Sequence, residues 1–411
     1  MKADSGPPSS AFPLVDIALG EGAPAAASTE RSLLEALNAI RAHLGMEVAF
    51  ISEFEDDRRV FRFVDAEDGA PRLEVGASDP REESYCQRVV DGRLPELIPD
   101  ACDNAEALTL PATQEMPIGA HLSVPIRLQD GSVYGTLCCF DRQADETLNE
   151  RDLGMLRVFA DFAARQLERQ RERQRHQRAV ERRIRDVLER HRFHVVFQPL
   201  HDLDGQRIVG YEALTRFTAE PKQGPDRWFA EADTVGLRVA LELAAIETAL
   251  ASLPDMPAAT YLSLNASPAT ILSGRLEAMF EGWPLDRLML EVTEHDVVED
   301  YAGLSEALAG MRARGLRLAI DDAGAGYASF LHILRLAPDV IKLDRSLTRE
   351  IDRRAESRAL AAALKGFATE TGSQLLAEGV ETREELATLR EIGIGKAQGY
   401  LLGRPGALPS E

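Results

Sequence analysis

The amino-acid sequence predicts an α/β barrel for the C-terminal half of the chain, and two observations lead to this prediction. From residue 193 onward, short apolar runs alternate with amphipathic helical segments, a pattern typical of a largely parallel sheet with helices packed outside it. Eight of these runs each finish on or beside a polar residue that could bind a metal or a phosphate. Polar chemistry at strand ends is how a TIM-like (β/α)8 barrel builds an active site.

The first two strands of this barrel are expected to be antiparallel, so that the first strand is inverted. The segment VVFQPLHDLDGQRIVGYEALTRF reads as two strands joined through Asp204 and Gly205, a dipeptide that favours a tight hairpin. We then expect helix LRVALELAAIETALASL, strands YLSLNAS and LMLEVTE, helix YAGLSEALAGMRARG, strands LRLAIDD and VIKLD, helix ESRALAAALKGFATETG, strand QLLAEGV, helix REELATLREIG and strand AQGYLLG. The barrel is expected to occupy residues 193–408.

An α+β domain is expected over residues 29–165. Its first helix, RSLLEALNAIRAHL, places four apolar side chains on one face: Leu34, Leu37, Ile40 and Leu44. Two strands around a turn at Asp56 and Asp57, a helix at YCQRVVDG, a long loop through PATQEMP, a hairpin at Asp130 and Gly131 and a closing helix follow. Residues 1–28, rich in Pro, Ser, Gly and Ala, are expected to form a flexible tail.

A linker helix is expected over residues 166–192, with two interpretations of equal weight. Steps of three and four relate Leu156, Ala160, Ala163, Leu167, Gln170, Gln174, Gln177, Val180, Ile184 and Val187. This heptad seam has a polar middle and is compatible with a parallel coiled coil that carries a signal between domains. Residues 165–192 also hold 11 Arg against 5 acidic residues, which is equally typical of a solvated linker helix.

Composition excludes several classes of function. The formal net charge of -21 argues against binding nucleic-acid polymers, which requires an excess of Lys and Arg. No run approaches the ~20 apolar residues of a membrane span. The four cysteines, Cys86, Cys102, Cys138 and Cys139, lack the spacing of a metal site. Together these features indicate a reduced, cytoplasmic protein with buried thiols.

Strand-end oxygen ligands form the candidate site. Four acidic residues and one amide, Glu212, Asn265, Glu291, Asp321 and Asp322, would converge at one end of the barrel. Such a cluster repels itself unless cations bind to it. Ligands that are all oxygen suit Mg²⁺ or Mn²⁺ rather than zinc. The adjacent pair Asp321 and Asp322 suits a two-ion site in which one carboxylate bridges the two metals.

Two further strand-end residues could take part in proton transfer or charge stabilisation. Lys342 ends its strand two residues before Asp344, and a buried lysine usually pairs with an acid. Next to a bound phosphate it could instead orient the nucleophile and stabilise developing charge. Glu378, in LLAEGV, is a candidate general base, whereas Glu381 reads as a loop or cap residue.

The segment from residue 193 to about residue 405 resembles an EAL-domain cyclic-di-GMP phosphodiesterase. The resemblance rests on eight motifs that occur in order: FQPL, EALTRF, LNAS, EVTE, DDAGAGY, IKLD, AEGVE and QGY. It implies a first metal bound by Glu212, Asn265, Glu291 and Asp321, and a second bound by Asp321 and Asp322. It further implies that Lys342, Glu378 and Gln398 position the attacking water, that Gln198, Leu214 and Arg216 contact the dinucleotide, and that Glu294 braces the loop after Asp322.

The implied reaction is metal-dependent hydrolysis of one phosphodiester of cyclic di-GMP, which gives linear pGpG. The resemblance also implies a homodimer. The alternative is a non-catalytic cyclic-di-GMP receptor that signals to a protein partner. The family loop usually reads DDFGTGYSS, whereas here it reads DDAGAGYAS, with Ala323 and Ala325 at two of the changed positions. We expect this change to affect the rate and its control rather than the chemistry.

Residues 29–165 resemble a GAF domain, a small sensory module. The resemblance rests on IGAHLSVPIRLQDGSVYGTLCCFD followed by a closing helix, and it implies regulation by an unidentified small molecule. The Asn-Lys-Phe-Asp-Glu signature of cyclic-nucleotide-binding relatives does not occur. Cys86 lies where a bilin could attach, but Gln87 follows it instead of His, so a packed thiol is favoured. A redox role for Cys138 and Cys139 is disfavoured because strand neighbours point to opposite faces.

Overall fold

The structure, a computed structural model, describes residues 25–293, 298–324 and 328–409. The chain divides into two compact units at residue 176. Within the described ranges, no helix is both long enough and apolar enough to cross a membrane.

The N-terminal unit is an antiparallel sheet with helices on both faces. Its strands are β1 (Val48–Glu55), β2 (Arg58–Ala66), β3 (Ser78–Pro80), β4 (Leu97–Ile98), β5 (His121–Arg127) and β6 (Val133–Phe140), in the order β3-β2-β1-β6-β5-β4. Its helices are α1 (Ala25–Leu44), α2 (Tyr85–Val90), α3 (Pro111–Glu115) and the start of α4 (Glu150–Glu189). Helices α1 and α4 pack with one face of the sheet, and α2 packs with the other. The expected α+β architecture is confirmed.

Three local expectations in this unit are wrong. Helix α1 begins at Ala25, inside the segment expected as a tail, and residues 1–24 lie outside the described ranges. Leu34 is 38% exposed and Leu33 is buried in its place, whereas Leu37, Ile40 and Leu44 are buried as expected. The expected loop PATQEMP contains α3, since a proline is compatible with the first turn of a helix.

Helix α4 is one continuous element whose two ends are buried in different units. Its apolar residues Leu156 and Leu167 belong to the core of the N-terminal unit, and Val180, Ile184 and Val187 belong to a cluster in the C-terminal unit. Residues 172–179 between them are exposed. The apolar positions of the expected heptad seam are therefore buried against their own chain, and the coiled coil stays a prediction.

The C-terminal unit is a closed barrel of eight strands. These are β7 (Phe193–Asp202), β8 (Arg207–Phe217), β9 (Tyr261–Asn265), β10 (Leu288–Thr293), β11 (Arg317–Ala323), β12 (Val340–Leu343), β13 (Gln374–Ala377) and β14 (Lys396–Ala397). The helices are α5 (Pro225–Thr234), α6 (Arg238–Leu250), α7 (Pro268–Leu272), α8 (Arg275–Met279), α9 (Tyr301–Ala313), α10 (Ala328–Leu336), α11 (Arg345–Thr348), α12 (Ala355–Thr371) and α13 (Arg383–Ile392). Strand β7 is antiparallel to both neighbours, and the other neighbouring strands are parallel. The inverted first strand is confirmed.

Two features of the barrel differ from the sequence-based expectation. The last strand is only Lys396–Ala397, because the chain turns at Gly399, whose carbonyl accepts hydrogen bonds from the amides of Leu402 and Gly403. Helices α5, α7, α8, α10 and α11 were not expected. Each is short, and α5 is held by Trp228, whose side chain is completely buried, so its stability comes from tertiary packing rather than from a long amphipathic pattern.

The barrel interior explains where the functional side chains lie. Side chains of a strand alternate between the interior and the surrounding helices. A buried interior cluster contains Met289, Ala319, Val340 and Leu376. The residues two positions further along each strand are Glu291, Asp321, Lys342 and Glu378. These therefore point inward at the end of the barrel where the parallel strands finish, which we call the mouth.

Candidate active site at the mouth of the barrel

Lys342 lies at the centre of the site. Its side chain is completely buried, and its Nζ donates hydrogen bonds to Glu291 Oε2 at 2.7 Å and to Glu378 Oε1 at 2.7 Å. Asp321 Oδ1 is 3.1 Å and Glu212 Oε2 is 3.8 Å from the same nitrogen. One ammonium thus holds four carboxylates that come from four different strands or strand ends.

Glu212 is the second organising residue. Its Oε2 accepts a hydrogen bond from Gln398 Nε2 at 2.6 Å, and its Oε1 accepts one from Asn265 Nδ2 at 3.3 Å. Gln398 Nε2 also donates to Gln198 Oε1 at 3.0 Å, while Gln198 Nε2 donates to the carbonyl of Gly403 at 3.1 Å. The inverted strand β7 thereby supports the mouth, since Gln198 orients Gln398.

A β-bulge lets two consecutive acids serve one site. The pairing of β11 with β12 shifts between Ile320 and Ala323, and Asp322 adopts a positive φ of 57°. Consecutive residues of a regular strand would point to opposite faces, and bulges commonly re-aim a side chain near an active site. As a result, carboxylate oxygens of Asp321, Asp322 and Glu378 lie within 4.8 Å of one another.

Burial and charge crowding perturb the proton affinity of the cluster. Burial, together with the neighbouring charges of Glu212 and Asp321, raises the pKa of Glu291 to about 8 despite the opposing charge of Lys342. Burial and the charge of Asp321 raise the pKa of Glu378 well above its usual range. Burial by itself lowers the pKa of Lys342, but the surrounding carboxylates raise it well above the ordinary value.

The residues present fit a site for hard divalent cations. Besides the triad Asp321, Asp322 and Glu378, oxygens of Glu212, Glu291 and Asp321 also lie within 4.8 Å of one another. When all five carboxylates are ionised, the single ammonium leaves four negative charges, the number that two divalent cations neutralise. Gln398 Oε1 is buried and accepts no hydrogen bond from the described residues, so the mouth also offers an unused oxygen.

Two cavities open beside these residues. One has a volume of about 350 Å³ and is lined by Leu214, Arg216, Asn265 and Glu291 among others. The other has a volume of about 210 Å³ and is lined by Gln198, Glu212, Leu214, Asp321, Glu378 and Gln398 among others. Leu214 borders both cavities. The structure therefore brings the expected dinucleotide-contacting residues next to the expected metal ligands.

Sequence reasoning missed two contributors. Ser263 is completely buried and donates a hydrogen bond of 2.5 Å to Glu291 Oε1; its position two residues before Asn265 was the available signal, since both face inward. Arg345 lines the smaller cavity and pairs with Glu381 at 2.7 Å. Glu381 thus lies at the mouth as well as in a loop. Glu294 and Ala325 lie outside the described residues.

The chain is similar to known families over both units. A family model described as the EAL domain matches residues 181–405, and one described as the GAF domain matches residues 26–168. The first match covers more than half of the chain. Both resemblances stated from the sequence motifs are thereby confirmed.

Individual relatives agree with these matches. The probable cyclic di-GMP phosphodiesterase PdeD of Escherichia coli is 31% identical over 230 residues, which is 53% of this chain and 42% of the relative. The cyclic di-GMP phosphodiesterase RocR of Pseudomonas aeruginosa is 30% identical over 230 residues, which is 53% of this chain and 58% of the relative. The chain spans about half the length of these curated relatives and about a third of others.

A solved structure gives the same result for the barrel. The PaMucR phosphodiesterase, solved as a cyclic-di-GMP complex, is 27% identical and superposes with a TM-score of 0.51. The match covers 56% of this chain and 98% of that chain. The similarity thus extends over nearly the whole of that structure.

Proposed function

This chain belongs to the EAL domain family, and we propose that it is a divalent-metal-dependent phosphodiesterase that hydrolyses cyclic di-GMP to linear pGpG. The observation that supports the proposal most directly is the set of carboxylates held by the buried Lys342 beside two cavities. Relatives named as cyclic di-GMP phosphodiesterases support the choice of substrate.

In this proposal, Glu212, Asn265, Glu291 and Asp321 hold one ion, and Asp321 and Asp322 hold the second. Their oxygen donors suit Mg²⁺ or Mn²⁺. When bound, such ions supply charge neutralisation for a phosphodiester and make water more acidic near neutral pH. They also account for how a protein with a net charge of -21 can accept a doubly anionic dinucleotide.

The chain's own residues position the substrate and move the proton. Lys342 Nζ holds Glu378 Oε1 at 2.7 Å, which aims that carboxylate into the smaller cavity. Glu378 is the candidate general base, because it is the carboxylate beside the smaller cavity that Lys342 orients. Gln398 is fixed by Glu212 and Gln198, and its Oε1, which no described residue contacts by a hydrogen bond, belongs to the same side chain that lines the smaller cavity.

Dinucleotide binding is assigned to the cavities rather than to the ions alone. Leu214 borders both cavities and Arg216 lines the larger one. A guanidinium beside the mouth can hold a phosphate in a bidentate manner, which a lysine cannot. Gln198 contributes indirectly through Gln398, because both ends of its amide are engaged by the protein.

Regulation by the N-terminal unit is part of the same proposal. The GAF domain match supports a sensory role with a small-molecule ligand. Helix α4 runs without interruption from residue 150 to residue 189, so a change in one unit has a continuous element through which to reach the other. A homodimer is proposed from the family resemblance, and a cytoplasmic location from the cysteine usage of the sequence.

The decisive experiment is incubation of the purified full chain with cyclic di-GMP and either Mg²⁺ or Mn²⁺, with products separated by chromatography. We expect pGpG to appear, EDTA to suppress it, and Glu212→Ala to lower turnover by about 10³-fold because this carboxylate is both a metal ligand and the anchor of Gln398. Glu384→Ala, which changes an exposed acid at the start of α13, is the matched control and should retain full activity.

Binding measured by calorimetry separates the enzyme from the alternative receptor. Saturable cyclic-di-GMP binding without product, in the presence of either metal, would contradict the enzymatic proposal and favour a receptor. In that case Ala323→Phe is the first substitution to test for a gain of turnover, because Phe is the residue usual in the family at this position. Turnover that survives in Glu212→Ala would instead contradict the assignment of the metal site.

A further inference from the structure

The N-terminal unit contains a buried thiol pair that the proposed function does not use. Cys86 on α2 and Cys138 on β6 face each other with their sulfur atoms 3.5 Å apart, and both side chains are completely buried. Around them lie hydroxyl groups: Ser123 Oγ is 3.1 Å and Thr136 Oγ1 is 3.2 Å from Cys138 Sγ. We call these two cysteines the thiol pair.

A permanently charged group contacts one member of the pair. Arg59 Nη1 donates to Cys86 Sγ at 3.2 Å, while the remaining guanidinium nitrogens bind the carboxylate of Asp79. Burial by itself raises the pKa of Cys86, but the hydrogen bond with Cys138 and the charge of Arg59 outweigh it and lower the pKa to about 5. Burial and the neighbouring Cys86 raise the pKa of Cys138 well above its usual range.

The other two cysteines have the opposite character. Cys139 lies on the other face of the sheet, in the core formed with α1 and α4, and burial raises its pKa to about 12. Cys102 is exposed, and the charge of Asp100 raises its pKa. Only Cys86 and Cys138 therefore form a pair of one thiolate and one thiol. The expectation that all four thiols are buried is wrong for Cys102.

We propose that the thiol pair is a site of oxidation by hydrogen peroxide, at which Cys86 and Cys138 become joined by a disulfide bond. The Cys86 thiolate attacks one peroxide oxygen, the O–O bond breaks, and hydroxide leaves as Cys86 becomes a sulfenic acid. The hydroxide takes the proton of Cys138, whose sulfur then attacks Cys86 and expels a second hydroxide. One thiolate, one thiol and one peroxide thus give one disulfide, one water and one hydroxide.

The geometry determines how far the sulfur atoms must move to form the bond and how large the oxidant can be. A disulfide requires the sulfur atoms to approach to about 2.05 Å, so they must close by roughly 1.5 Å. Cys86 lies on helix α2, which is six residues long and in which Tyr85, Gln87 and Val89 are also buried. Because neither sulfur is exposed, the oxidant must be close to water in size, which hydrogen peroxide is and glutathione disulfide is not.

The first test uses the full chain without substitutions. The reduced protein is treated with equimolar hydrogen peroxide, unfolded, alkylated and digested, and the peptides are identified by mass spectrometry. We expect a linked Cys86–Cys138 peptide lighter by two hydrogen atoms, and no link with glutathione disulfide. The rate should be nearly constant from pH 6 to pH 9, whereas an ordinary thiol gains about tenfold per pH unit below its pKa. A rate that rises in this way, or oxidation confined to Cys102, would overturn the proposal.

Variants separate the roles of the two sulfurs and of the guanidinium. Cys138→Ser should form no disulfide but should accumulate a sulfenic acid at Cys86 that dimedone traps. Arg59→Gln should slow oxidation at pH 6 by about 10²-fold and by much less at pH 9. Cys102→Ser is the control and should leave the link unchanged. A Cys138→Ser protein that melts like the parent yet yields no dimedone adduct would contradict the assignment of Cys86 as the attacking sulfur.

Oxidation of the thiol pair does not depend on the proposed phosphodiesterase activity. The linked peptide is read by mass and requires neither metal nor cyclic di-GMP. A failure of the oxidation test therefore leaves the hydrolysis test intact, and the converse also holds.

Discussion

The two ends of the barrel each hold a lysine inside the sheet, and their surroundings are opposite. At the mouth, Lys342 is completely buried among four carboxylates. At the other end, Lys396 lies 5.5 Å from the ring centre of Tyr261, and Arg317 lies 4.1 Å from the same ring centre. Burial and the nearby Arg317 lower the pKa of Lys396, whereas the carboxylates raise that of Lys342.

The difference shows how one scaffold separates function from stability. At the mouth, buried acids outnumber the cation, and such an arrangement is costly unless further cations bind. At the opposite end, two partly exposed cations cover an aromatic face, an interaction that stabilises without requiring a ligand. Binding and catalysis in β/α barrels lie at the strand ends, and the opposite end contributes stability.

The largest expected effect comes from Lys342→Met. Removing this ammonium leaves Glu378 and Glu291 without the donor that orients them, so turnover of cyclic di-GMP should fall by about 10³-fold. Steady-state kinetics with saturating Mn²⁺ measures the loss. Lys396→Met is the matched control, because the same substitution is made inside the same barrel. Comparable losses in the two variants would break the proposed division between the two ends.

The second effect concerns stability of the metal-free protein. The pKa of Glu291 is raised to about 8 from 4.5, chiefly by burial, so the folded protein keeps a proton that the unfolded chain releases. Between about pH 4.5 and pH 8 the folded state therefore binds more protons, and stability must fall as pH rises. Urea unfolding in EDTA should show a loss of about 2–4 kcal/mol across this window.

Two controls sharpen that measurement. Glu291→Gln should reduce the pH dependence, because the amide does not titrate, and the part that remains is assigned to Glu378, whose pKa burial also raises. Saturating Mg²⁺ should also remove it, since the ions bind the deprotonated carboxylates and stabilise the folded state by mass action. Stability that rises with pH in EDTA would show that Glu291 is not the dominant buried acid.

The smallest effect is expected for Lys396→Met on its own. The substitution removes one cation–π contact with Tyr261 and one charge near Arg317, so the free energy of unfolding should change by about 1 kcal/mol or less. Turnover should stay within twofold of the parent. Urea unfolding and steady-state kinetics on the same preparation test both statements, and a tenfold fall in turnover would show that the two ends are coupled.

Much of the barrel could be predicted from the sequence because its signals are local. A short apolar run indicates a strand. Asp204 and Gly205 in the turn indicate that the first two strands are antiparallel. Acids at the ends of successive parallel strands must meet at one end of a barrel. The convergence of Glu212, Glu291 and Asp321 follows from this rule, and the structure brings these three together.

Other features depend on contacts between distant residues. The β-bulge that turns Asp322 into the site arises from the pairing of β11 with β12, and alternation along one strand would have placed it outside. Helix α5 is held by the buried Trp228 rather than by its own pattern. Neither feature is visible in a window of neighbouring residues.

The sequence by itself determined the barrel, the order of its strands and the acids at its mouth, because periodicity and turn chemistry act over a few residues. Only the tertiary structure decided that Lys342 joins four of those acids. It likewise decided that Cys86 meets Cys138 across 52 positions of sequence, with Arg59 beside them. Proximity of this kind is set by how strands and helices pack, and packing brings together residues whose spacing along the chain carries no period.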